Sequence, residues 1–260
     1  MKIWPRLLQV FLVLVLLAPV VAVAMLSLSP SYGMDVFTRR TLSDRWWIAL
    51  STDPAWVTAL ANSFLIAAIS AAGSLIVTLP ATTVWRFTGS RFLYGSLLAS
   101  GLSFAIPPIV LAVGLYQLLV RISLFDTLLG IAAAHLAFTI PVSAFVLAAR
   151  FRNTAIDVYL AARSLGAGPF AAALRWLLGT QKATLAGCLA AGILASLSEV
   201  TVTIYVTDSR VSTIARRALA GVTHDIQPTG FAFMAAWILV MWIFISVGSR
   251  WNARIARGRT

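Results

Sequence analysis

At 260 residues, 60% hydrophobic and only 11% charged, with a mean hydropathy of +0.91, the chain lies outside the composition of soluble globular proteins and reads as a polytopic membrane protein. Its single cysteine, Cys188, excludes an internal disulfide and any cysteine-built metal site. A net charge of +12 would suggest a nucleic-acid partner in a soluble protein, but its placement between apolar runs makes it a matter of membrane topology, with no nucleic acid.

Six uncharged or nearly uncharged runs are long enough to cross a bilayer, which takes about 20 residues each: residues 7–28, 56–85, 92–120, 127–149, 183–207 and 231–249. The expectation is one all-α transmembrane domain over residues 1–260. The first run follows Lys2 and Arg6 and ends near Ala22-Val23-Ala24, as a signal peptide could; its apolar length exceeds the roughly 7 to 15 residues of a signal-peptide core, so it is read as a span. Residues 29–54 form a mixed-charge loop whose Trp46-Trp47 pair marks a short interfacial helix, an aromatic anchor. The second run carries Asn62-Ser63 near one end and Pro80 near the other. In the third, Gly101, Pro107, Pro108 and Gly114 force a bend or break, and the freed backbone must face protein or a water-filled path. A plain proline kink and a functional break are equally open there. The fourth run carries His135 and Pro141.

Residues 150–182 are different in kind. Arg150, Arg152, Arg163, Arg175 and Lys182 stand against one acid, Asp157. Asn153 or Thr154 can cap a helix with Asp157 in its first turn. Gly166-Ala167-Gly168-Pro169 ends that helix, and Pro169 can open a second one running to about Gly179. Two short helices with a sharp bend make either an amphipathic hairpin on the lipid surface or a knob that another protein can approach closely.

In the fifth run, Gly187, Ala191, Gly192 and Ala195 permit close helix packing. Gly192, Ser196, Glu199, Thr203 and Thr207 recur at intervals of three and four, a polar stripe on one helix face. Glu199 is the one acid inside a span and is therefore expected to face the interior, functional or paired. A polar loop with a short helix around Ile214 to Ala220 follows, then the last span and a basic tail.

Six spans place both termini on one side. With the termini in the cytoplasm, Lys2, Arg6, Arg86, Arg91, Arg150, Arg152, Arg163, Arg175, Lys182, Arg250, Arg254, Arg257 and Arg259 face Asp157 alone on that side. The remaining seven arginines share the outside with six aspartates. This asymmetry sets the orientation, with residues 150–182 inside.

LAARSLGAGPF resembles the EAA motif of ABC-importer permeases, with Ala161, Ala162, Gly166 and Ala167 on matching positions and Leu160 in place of the usual glutamate. Gly179 and Ala183 stand where that family often has prolines. The Asn62-Ser63 opening, Pro80, His135 and Pro141 also resemble the family. The segment from Ser198, Glu199 and Val200 through Thr213 to Asp225, Pro228 and Thr229 is similar to permeases of the spermidine/putrescine kind; iron, thiamine and aminoethylphosphonate permeases share much of it. The resemblance implies the type I importer architecture, six helices with a coupling helix between spans 4 and 5. It implies that Tyr159, Leu160, Ala161, Ala162, Arg163, Gly166 and Ala167 meet an ATPase. It further implies a second permease subunit, identical or homologous, two cytoplasmic ATP-binding subunits and a periplasmic binding protein, in a bacterial inner membrane. No G-x-x-x-x-G-K-[ST] occurs in the chain, so no cofactor is expected on it and ATP and Mg would be used by the partner ATPase.

Depth counting places Glu199 and His135 each eight residues, about 12 Å, from the outer ends of their runs, and Asn62 about 10 Å from its own. Pro107 and Pro108 fall in the same outer third. Asn62, Pro107, Pro108, His135, Ser196, Glu199 and Thr203 are thus candidates for the translocation path, the alternative being a hydrogen-bond cluster that holds the bundle together. With Tyr205 nearby, a lone carboxylate suits a cationic solute, in line with polyamines. A membrane-embedded enzyme with Glu199 and His135 as acid and base would be the competing class, and an ATP-independent transporter a third. The chain has only two histidines and neither H-E-x-x-H nor G-x-S-x-G, and a self-contained transporter has no use for a basic knob.

Overall fold

The apolar runs show no alternation of polar and apolar residues, and in the computed structural model every described element is a helix. The structure describes residues 3–30, 42–223 and 228–257. The helices are α1 (Ile3–Ser27), α2 (Arg45–Thr52), α3 (Pro54–Thr88), α4 (Arg91–Ala99), α5 (Pro108–Arg121), α6 (Leu128–Arg152), α7 (Asp157–Ser164), α8 (Pro169–Thr180), α9 (Lys182–Leu197), α10 (Thr201–Val206), α11 (Ile214–Thr223) and α12 (Pro228–Arg257), with a 3₁₀ turn, Ser100–Phe104, after α4. The chain divides into two compact units, residues 58–216 and residues 1–57 with 217–260.

In the unit of residues 1–57 and 217–260, α12 packs against α1 and α2. A short helix, α2, forms at Trp46-Trp47. Trp46 is buried and its Nε1 donates to the Ser29 carbonyl at 2.7 Å. Arg217 lies 5.5 Å from the Trp56 ring centroid. The outward faces of α1 remain apolar, with Phe11, Leu14 and Leu16 all more than half exposed. A continuous apolar surface of that kind needs lipid or a partner over it.

In the unit of residues 58–216, α6 is the central post, packed against α9, α10, α4 and the 3₁₀ turn. Thr127 caps it by accepting from Gly130 N at 3.0 Å. Gly130 is required there: a Cβ would lie 1.9 Å from the Leu124 carbonyl oxygen. A core of Ile66, Ile131, Phe138, Val202 and Val206 fills one end of the unit, and Leu147, Phe151, Trp176 and Cys188 fill the other. Gly192 brings α9 close to α3, since a Cβ on it would meet Ala71 Cβ at 3.0 Å.

By length and composition, α3 and α6 each suffice to cross a membrane, at mean hydropathy 2.0. Two bent pairs raise the number to as many as four: residues 91–104 with α5, bent by 104°, and α8 with α9, bent by 78°. Within α1 and α12, the stretches Phe11–Ser27 and Pro228–Ile243 are apolar. Among the described residues, then, two helices, or four segments with the bent pairs, meet the requirement for a span, and the third and fifth expected runs are interrupted. The third run breaks before Pro107-Pro108, because Pro107 disfavours helix at Ile106 and neither proline has an N–H for the turn before it.

The fifth run is two helices, α9 and α10, with residues 198–200 between them, so the five-residue polar stripe is not on one helix face. The cap expected from Asn153 or Thr154 is also absent. Ile156 occupies the N-cap of α7 without a side-chain bond, while Thr154 Oγ1 and Asn153 Nδ2 donate back to the Arg150 and Ala149 carbonyls at the end of α6. The second helix of the loop runs to Thr180, one residue past the expected Gly179. Lys2, Asp35, Arg39, Arg40, Asp225 and Arg259, which entered the charge argument, lie outside the described residues, and with Asp225 goes one position of the polyamine-permease resemblance.

Candidate functional site

Two places concentrate the expected functional residues. The first is at the break between α9 and α10. His135, buried on α6, is bonded through Nδ1 to Ser196 Oγ at 2.7 Å and through Nε2 to Thr203 Oγ1 at 2.9 Å. Thr203 gives its single hydroxyl hydrogen to the Glu199 carbonyl at 2.6 Å, so Nε2 of His135 must donate to Thr203 Oγ1. A neutral ring then accepts the Ser196 hydroxyl at Nδ1. His135 thus spans the gap from the end of α9 to α10. Glu199, half-buried, accepts from Val202 N through Oε1 at 2.8 Å and satisfies a free donor in the first turn of α10.

These four residues, with Ser63, Ile66, Leu197, Thr213 and Ala215, line one cavity of about 10 Å³. That is about the room one water needs. No organic solute fits it, so in this conformation the site is shut.

The loop beside the cavity is held by side chains from the start of α3 and from the turn before α6. Asn62 Nδ2 donates to the Ser212 carbonyl at 2.9 Å, and Ser63 Oγ accepts from Ile214 N at 3.0 Å. Asp126, buried and at φ 53°, accepts from Arg210 N at 2.8 Å and Val211 N at 3.2 Å. His135, Ser196, Glu199 and Thr203 are therefore brought together. Asn62 is used on the adjoining loop. Pro107 and Pro108 are exposed and do not line the cavity, and Tyr205 is 40% exposed and likewise outside it.

The second place is the elbow of α7 and α8. Gly166 at φ 84° ends α7 in a Schellman arrangement: Ala167 N donates to the Ala162 carbonyl and Gly166 N to the Arg163 carbonyl, each at 3.0 Å. Arg163 Nη1 donates to the Ala167 carbonyl at 2.8 Å and braces the corner. Ala162 faces inward, whereas Leu160 is 51%, Leu165 85% and Phe170 81% exposed. Tyr159 stacks on Phe87 of α3 with centroids 3.9 Å apart, and Ala161 points outward.

The elbow is fastened to the unit by groups that sequence reasoning did not single out. Arg86 Nε donates to the Phe151 carbonyl at 2.7 Å and its Nη2 to the Thr154 carbonyl at 2.9 Å. Trp176, fully buried, donates Nε1 to the Ala155 carbonyl at 2.8 Å and sets its ring edge-on to Phe151 and Phe87.

A polar seam runs between α3 and α6. Ser70 Oγ meets Thr139 Oγ1 at 2.9 Å and Ser143 Oγ meets Ser74 Oγ at 2.7 Å, while Thr78 and Thr82 bond to the carbonyls one turn back. All six are buried. The four-residue spacing of Ser70, Ser74, Thr78 and Thr82, matched by Thr139 and Ser143, was the signal available for it.

No family model matches the chain, and no curated protein matches it. A solved structure described as a bacterial ABC transporter involved in the import of the acidic polysaccharide alginate matches it with a TM-score of 0.70, over 95% of this chain and 95% of that one, at 15% identity. The chain therefore shares the fold of that transporter component.

Proposed function

We propose that the protein is a membrane-spanning permease subunit of an ATP-driven importer, and that the α7–α8 elbow is where a cytoplasmic ATPase engages it. The observation that carries this reading is the elbow itself. A charged loop that merely rested on lipid would have no need of a Schellman turn, an arginine brace and ties from Arg86 and Trp176 to the carbonyls at the end of α6 and in the linker before α7. Those ties make it a rigid projection with Leu160, Leu165 and Phe170 outward, suited to receive force from a partner and pass it to α3 and α6. The likeness in fold to a transporter component supports the same assignment.

In this reading the termini and the elbow are cytoplasmic, six segments cross the inner membrane, the third (residues 91–121) and the fifth (α9 with α10) as broken spans, and a second permease, two ATPase subunits and a periplasmic binding protein complete the assembly. Chemistry on ATP belongs to the partner. The His135 cavity is then a closed point on the path: solute passes only when His135 releases Ser196 or Thr203, letting the α9–α10 break open. The narrower reading is a cationic cargo of the polyamine kind, supported by the Glu199 carboxylate on the cavity wall and by the resemblance of residues 198–229; aminoethylphosphonate, iron or thiamine would use the same subunit architecture.

Co-purification of the full chain with an ATPase encoded for the same importer tests the assignment. Gly166 is a poor probe, because any side chain at φ 84° strains the turn. Leu160 is cleaner: Leu160→Asp should abolish ATPase retention and uptake, whereas Leu160→Ala weakens them. Retention by Leu160→Asp equal to that of the wild type overturns the docking role. A reporter fused after Arg163 should read cytoplasmic, and the opposite result overturns the orientation.

A further inference from the structure

Trp85 and Gly89 at the end of α3, Arg91 and Tyr94 at the start of α4, and Arg152 at the end of α6 line a pocket of about 280 Å³. It lies at the same end of the helices as the elbow, since Arg86, beside Trp85, is tied to the chain just past Arg152. Neither the Arg91 nor the Arg152 side chain forms a hydrogen bond or an ion pair among the described residues, and both are exposed. Arg152 has a local reason to be there, because a cation suits the C-terminus of α6. Arg91 has none: it is the first residue of α4, where a cation opposes the helix dipole, and the first turn holds no acid.

Both charges point to an anion, and the surroundings say what kind. Trp85 and Tyr94 stack with centroids 5.1 Å apart, forming an aromatic wall of the type that sits at headgroup depth. Beside the pocket Phe92 is 81% exposed and Val84 48% exposed. A free inorganic anion gains nothing from that apolar border, but an amphiphile does.

We propose that this pocket binds the phosphate headgroup of an anionic phospholipid of the surrounding membrane, held by Arg91 and Arg152 with its chains along the apolar border. The inference rests on the membrane-spanning reading above. It assigns to these two arginines a role in lipid choice, beyond their share in setting topology.

The test is native mass spectrometry of the purified full chain exchanged into micelles containing equal phosphatidylglycerol and phosphatidylcholine. The wild type should retain one phosphatidylglycerol in preference. At about one cation's worth of interfacial attraction each, Arg91→Gln or Arg152→Gln should lower that retention about fivefold and the double variant about thirtyfold. Arg91→Lys should keep most of it. Thermal unfolding in phosphatidylcholine alone should match the wild type for both Arg91 variants, because the Arg91 side chain holds nothing else in the fold.

Equal retention of the two lipids by the wild type, or undiminished preference in the double variant, overturns the proposal. So does displacement of the lipid by inorganic phosphate, which would make this a site for the free ion. Loss of ATPase assembly in the double variant with unchanged lipid retention overturns it in favour of an acidic protein partner. A chain that fails to enter micelles or vesicles at all refutes the membrane reading instead, a distinct result.

Discussion

Replacing Arg86 by Met leaves the aliphatic stem in place and removes two hydrogen bonds at 2.7 and 2.9 Å to the Phe151 and Thr154 carbonyls. Hydrogen bonds from a charged donor contribute about 1.5 to 3 kcal/mol each. Arg86 is only half-buried, and the Phe151 carbonyl keeps a bond from Thr154 N at 3.3 Å, so the lower end of that range applies. The sum is about 3 kcal/mol, acting on the local opening of the elbow. Amides in residues 153–165 should then exchange with deuterium roughly a hundredfold faster in the variant, because each 1.4 kcal/mol is about a factor of ten. Arg86→Lys can reach one carbonyl with a point charge and should recover about half of the loss, leaving a tenfold acceleration. The assay is hydrogen–deuterium exchange of the purified full chain, with α9 as the internal control. Unchanged exchange at 153–165 would refute the tie. An equal acceleration in α9 would refute it as well, by showing a loss of the whole unit and no specific hold on the elbow.

Gly130→Ala should cost about 3 kcal/mol or more and reduce folded yield, since its Cβ would collide with the backbone oxygen of Leu124. Gly187→Ala, with nothing within 4 Å, should be neutral or stabilising by up to about 1 kcal/mol in thermal scans. Ser74→Ala and Ser143→Ala should each destabilise by about 1 kcal/mol, and a double-mutant cycle should show the pair to be coupled; additive losses would mean that the seam hydroxyls act independently. Glu199→Gln keeps an oxygen to accept from Val202 N, so stability should hold while polyamine uptake falls severely; normal uptake by that variant would end the cationic-cargo reading.

The apolar runs, the basic asymmetry and the glycine-proline corner at 166–169 were legible from sequence because each is a local property: helix-forming hydropathy, short-loop charge and the backbone freedom of one residue. The bend before Pro107-Pro108 was legible for the same reason. What the one-dimensional pattern could not decide was which polar residues meet. His135, Ser196 and Thr203 lie up to 68 positions apart and bond only because α6 passes the α9–α10 break, and Glu199 leaves the polar stripe because the helix ends at Leu197. Asn62, read as part of a polar layer, is turned onto a loop 150 residues away. Arg86 looked like one more topological charge until the fold placed two carbonyls in front of it. Composition and periodicity determine that segments become helices; which donors find which acceptors depends on the packing of those helices, because a hydrogen bond is made at about 3 Å and hydropathy carries no information at that scale.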